Sequence, residues 1–149
     1  MSEPTLASLD RRTLDQFLTV LQELTQLVDE ENTLLAQTGE TLPLALVRRK
    51  EELGTRYARL TVALRPRTAA LHASGALDPV RLEVGIRGLV RRLKDNQSLL
   101  NARKAATAQR VECVMKALAE RERRDGTYGA SGDARPRSAS TASGLHLSA

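Results

Sequence analysis

Apolar residues recur at Leu14, Phe17, Leu21, Leu24 and Val28 in steps of three and four, and again at Leu35, with Leu18, Leu27 and Leu34 widening the stripe. That period lines one face of an α-helix. Its start has two readings, since Thr5 or Ser8 can cap it or Thr13-x-x-Gln16 can form a capping box. Its end falls near Gly39, a residue able to take the left-handed conformation that closes helices, so a first helix is expected over roughly residues 5–37.

Thr41 and Pro43 suit the first turn of a second helix, whose seam runs Leu46, Leu53, Tyr57, Leu60, Leu64. Lys50 completes that spacing with a charge. Pro66 lacks an amide donor and clashes with the preceding turn, so the helix either kinks there or stops. Residues 68–73 leave room for one or two further turns before Ser74-Gly75.

Asp78-Pro79 is a cap followed by proline at the first helical position. From there to Asp125 the pattern predicts one helix of about 46 residues, nearly 70 Å long at about 1.5 Å per residue. Its seam is Leu82, Ile86, Leu89, Leu93, Asn96, Leu100; Arg103 and Thr107 weaken it, and Val111, Val114 and Leu118 resume it one residue out of heptad phase, as a stutter does. Asn96 suits the fixing of register, and Gly85 and Gly88 suit close approach of a neighbouring helix.

Residues 126–149 are mostly Gly, Ser, Ala, Thr and Arg and read as a disordered C-terminal tail. The expected fold is all-α: an antiparallel three-helix bundle or coiled coil, with an over-long third helix, in a domain of residues 1–125. Composition agrees with helices rather than strands. Apolar residues make up 41% of the 149 positions, mainly Leu, Val and Ala, and the aromatics are Phe17, Tyr57 and Tyr128 alone.

The amino terminus lacks a signal-peptide core and no apolar run reaches about 18 residues, so a soluble cytoplasmic protein without membrane insertion is expected. The single cysteine, Cys113, leaves no internal disulfide and fits a reducing compartment. His72 and His146 belong to no HExxH, cysteine-histidine cluster or phosphate-cradling glycine loop. Glu30-Glu31 and Glu51-Glu52 are adjacent in sequence and diverge on a helix. No enzyme chemistry, metal, cofactor or small-molecule substrate is therefore expected.

Net charge is +5, unevenly spread: the first helix is acidic, while Arg48-Arg49-Lys50 and Arg91-Arg92-x-Lys94 mark the other two as basic. Such clusters could hold nucleic-acid phosphates. The scarcity of aromatics for base stacking and the lack of helix-turn-helix spacing argue against it. Opposite charge on neighbouring helices gives the simpler expectation, an interhelical or solvated face.

A first helix of about 50 Å should leave the third uncovered near residue 112, if both begin at the same end. Val111, Val114, Met115 and Leu118 then present an apolar stripe at i, i+3, i+4 and i+7, with methionine as an adaptable surface. The stripe either binds a partner or packs in a homodimer or against a bent amino terminus.

Glu31-Asn32-x-x-Leu35, Arg49-Lys50-x-x-Leu53, Asn96-x-x-Leu99-Leu100 and Tyr128-Gly129-x-x-Gly132 follow one another in an order that resembles the FlgN-type flagellar type III export chaperones. The resemblance implies a cytoplasmic chaperone that holds hook-filament junction (hook-associated) subunits unassembled and delivers them to the export gate or ATPase. It also implies client binding by the carboxy-terminal part of the long helix, here Val111 to Leu118. Tyr128 is then either an anchor for a pocket on the export gate, an idle tail residue or a helix cap. A structural coiled-coil component of a secretion system would use the same seams for assembly.

Overall fold

The computed structural model describes residues 5–37, 39 and 41–128, with side chains through residue 126. Every regular element among them is helical: α1 (Leu6–Ala36), α2 (Leu44–Leu64), a single 3-10 turn (Arg65–Arg67), α3 (Thr68–Ala73) and α4 (Pro79–Tyr128). No helix among the described residues is long and apolar enough to cross a membrane. The expected disordered tail, from residue 129 onward, lies outside the described residues.

Local chemistry accounts for most of the boundaries. α1 follows an extended Thr5 whose carbonyl accepts the Ser8 and Leu9 amides, while Thr13 lies inside the helix and donates its hydroxyl to the Leu9 carbonyl. The alternative start at Thr13 is thereby excluded. Gly39 takes φ 90°, as its closing role requires. Pro43 stands at the N-cap of α2, one position before the expected first turn, and its carbonyl receives the Leu46 and Val47 amides.

Pro66 ends α2 as an α-helix at Leu64 but fits the 3-10 turn that leads into α3. Gly75, at φ 72°, closes α3, with the Ala76 and Leu77 amides returning to the Leu71 carbonyl. The Asp78 carboxylate accepts the Val80 and Arg81 amides at 3.0 and 3.3 Å and caps α4. At the far end α4 continues through Gly126, Thr127 and Tyr128, past its expected stop at Asp125. Glycine costs about 1 kcal/mol in a helix relative to alanine but tolerates the right-handed conformation, so it weakens the helix without ending it.

Residue contacts divide the chain into two units, 1–107 and 108–149. Within the first, Phe17 meets Tyr57 at 5.2 Å between ring centroids and Lys50 meets Glu31, so α1 and α2 run antiparallel. Asp29–Arg92, Asn32–Asn96 and Gln37–Arg103 show α1 and α4 running parallel. α1 is the central element, contributing Leu14, Phe17, Val20, Leu21, Leu24 and Val28 to a core completed by Leu53, Leu64, Leu71, Leu77 and Leu89.

Gly85 allows the α1–α4 contact, because a Cβ there would stand 3.1 Å from Leu21 Cδ2. At Gly88 the nearest atom to such a Cβ belongs instead to Arg92 of the same helix. The seam expected on α4 is narrower in the structure: Leu89 and Asn96 are buried, whereas Leu93 is 39% exposed.

Candidate partner-binding face

Four charged or amide side chains from three helices meet where a continuous apolar seam would otherwise run. Glu31 falls on the α1 stripe between Val28 and Leu35 and is 1% exposed. The Lys50 ammonium reaches it from α2, donating a 2.9 Å hydrogen bond to Oε1 and lying 2.7 Å from Oε2, which accepts no well-aligned hydrogen bond. Lys50 also donates to Asn96 Oδ1 at 3.3 Å, and Asn96 passes its amide to Asn32 Oδ1 at 2.9 Å. Asn32 in turn donates to the Arg92 carbonyl.

Arg92 extends the layer outward, with its Nε 2.8 Å from both Asp29 carboxylate oxygens. Burying charge is costly unless its hydrogen-bonding capacity is matched, and a shift of α1, α2 or α4 along its axis would separate these partners. Asn96, whose seam position suggests a register role, joins the layer through Lys50 and Asn32. Arg49, Lys50 and Arg92 are engaged by carboxylates of α1, as pairing of oppositely charged helices requires. Arg67 joins them through Asp10 at 3.0 Å.

The paired residues set how far the cover on α4 extends. Asn32 and Asn96 are 64 positions apart, and Asp29 and Arg92 are 63 apart. Pro79 is therefore level with about residue 15 of α1, not with its first residue, because α3 occupies the space beside the opening turns of α1. Cover on α4 consequently ends earlier than expected near residue 112. Ala106 is the last partly covered side chain, and residues 107–126 are all exposed.

In the second unit, Val111, Val114, Met115 and Leu118 are exposed at 58, 58, 62 and 50%. Their spacing puts them on one helical face about 10 Å long at about 1.5 Å per residue. Lys116 pairs with Glu112 at 2.9 Å across one turn, away from the apolar row in sequence. Cys113 is an exposed free thiol. Tyr128 is the last residue of α4, not a residue beyond it, and its side chain lies outside the described part.

The stripe is legible in the sequence; the polar layer is not legible there as a unit. Its signal was a charge at a seam position on each of two helices, Glu31 and Lys50, together with Asn96 on the third. Among the described residues no group of three or more His, Cys, Asp or Glu side chains is arranged to hold a metal ion. Tyr57, packed against Phe17, has its phenol pushed above the ordinary value of 10.0 by burial, an effect opposed by a hydrogen bond with Thr61. No protein-family model, curated protein or solved structure matches the chain.

Proposed function

We propose that this chain is a cytoplasmic flagellar export chaperone. It binds a terminal segment of hook-filament junction subunits along Val111, Val114, Met115 and Leu118, keeps the subunits from assembling prematurely, and delivers them to the export gate or ATPase. The observation that carries this reading is the exposure of all four side chains on one face of a formed helix. An amphipathic client helix can add its own apolar face there, burying surface that would otherwise promote polymerisation. Ordering a flexible client opposes binding, so the affinity is moderate and reversible, as delivery requires.

The residues that carry the family resemblance fit a division of labour. Glu31, Asn32, Lys50 and Asn96 join in the buried polar layer and hold the bundle in register. Client contact then belongs to the exposed stripe, and no catalytic chemistry is assigned to the chain.

The test is co-purification with the terminal segment of a junction subunit. The full chain is expected to retain the segment and a chain truncated before Val111 to lose it while keeping its thermal transition. Retention by the truncated chain would move the client site elsewhere. Self-assembly through the stripe, with no affinity for the segment, would instead identify a structural coiled-coil component.

A further inference from the structure

The stutter in α4 falls on the row of residues that carries the buried Leu89 and Asn96. A neighbouring row has no interruption. It begins with Ile86, Val90 and Leu93 and ends with Val111, Val114 and Leu118. Between them Gln97, Leu100, Lys104 and Thr107 keep the alternation of four and three residues unbroken, which is the heptad period of a coiled coil.

The bundle leaves much of this row uncovered. Ile86 is partly buried, but Val90 and Leu93 are 45 and 39% exposed, and Val111, Val114 and Leu118 are each at least half exposed. The row therefore carries one apolar block at each end and a mostly polar centre.

Such a row is complementary to its own reverse. When a second α4 is laid antiparallel with a two-fold axis beside Ala102, each position meets the one equally far beyond that residue. Ile86 then meets Leu118, Val90 meets Val114 and Leu93 meets Val111 of the second copy. Gln97 meets Thr107, and Leu100 meets Lys104, whose aliphatic stem can cover it.

Charge favours the same register. Lys94, which has no ion pair among the described residues, comes within one turn of Glu112 of the second copy, and the symmetry makes this contact twice. A parallel pair would instead set Lys104 against Lys104. Pairing the exposed ends of α4 alone would leave Val90 and Leu93 uncovered.

We propose that the chain forms a weak antiparallel dimer in which the exposed end of each α4 lies along residues 86–93 of the other. Lys104, at the centre of the row, selects the register and lowers the affinity, so the chain is monomeric at the low micromolar concentrations of a melting experiment. The second copy covers Val111, Val114 and Leu118 until a client displaces it; that consequence rests on the client assignment, whereas the pairing does not.

The test uses the full chain with no client present. Sedimentation velocity from about 2 to 500 μM should show reversible dimerisation with a dissociation constant of about 10–100 μM, as for a small transient interface. Val90→Asp, outside the client stripe, should abolish the dimer without changing the circular dichroism spectrum. Lys104→Leu should tighten it about tenfold or more by extending the apolar row.

Cys113 is the sole cysteine and is exposed, so a nitroxide attached there reports the arrangement. The rise from Ala102 to Cys113, doubled by the symmetry, predicts about 35 Å between the two labels, whereas a parallel dimer or paired helix ends bring them within about 20 Å. A chain that stays monomeric throughout the range, a dimer indifferent to either substitution, or the shorter label separation overturns the pairing. A dimer with the longer separation and no affinity for the junction segment upholds the pairing and removes the chaperone reading.

Discussion

Leu89 and Leu118 belong to the same helix, yet one is 2% exposed and the other 50%. Around Leu89 the helix is formed by residues that α1 and α2 receive, and its conformation is supported by burial and by the polar layer at Asn96. Around Leu118 no such receiver contributes, and the helix rests on local terms: the Lys116–Glu112 pair and a run of strong helix formers from Lys116 to Arg124. Apolar residues in the first stretch specify the fold. Those in the second bury against nothing among the described residues, which supports the proposal that the stripe at Val111 to Leu118 receives another molecule.

The largest expected effect is at the point where three helices are joined. Lys50→Met strands the Glu31 carboxylate in the core and should cost about 3–5 kcal/mol. For a unit of this size each kcal/mol lowers the melting temperature by about 4–8 °C, readable by circular dichroism. Adding Glu31→Leu removes the stranded charge and should restore most of the loss, which would assign the layer to register rather than net stabilisation. If Lys50→Met melts like the unsubstituted protein, the ion pair is not buried as described.

Next in size is the direct contrast along α4. Leu89→Ala should destabilise by about 2–4 kcal/mol through lost contacts and a cavity. Leu118→Ala should stay within about 0.5 kcal/mol, as exposed substitutions do. Equal losses at the two positions would show that the stripe is part of a core.

The smallest effect is on pH dependence. Burial raises the Tyr57 phenol above its unfolded value of 10.0, so the folded state favours the protonated form. Its contribution to stability is constant below pH 10.0 and falls as the pH rises through the folded value. Tyr57→Phe should flatten an alkaline denaturation profile in that window and leave neutral pH unchanged.

The sequence disclosed the elements where local chemistry decides them. Gly39, Asp78-Pro79 and the period of three and four along α1 each marked a boundary or a face, because each acts within a turn or two of itself. It disclosed less where the answer depends on a neighbour. The fully buried Val20 lies beside the Leu21 of the stripe, and only the presence of helices on two sides of α1 explains its burial. The offset of α4 against α1 depends on the space taken by α3, and Pro66 is compatible in sequence with either a kink or a stop. At Gly126 the composition shifts as it would at a stop, yet the helix continues through it.

The most direct test of the client-binding face is a calorimetric titration of the terminal segment of a hook-filament junction subunit into the unsubstituted chain and into Val114→Asp/Leu118→Asp. The expected result is saturable binding by the first and none by the second, with indistinguishable circular dichroism spectra and melting temperatures. Undiminished binding by the doubly substituted chain, with its helix content intact, would contradict the assignment.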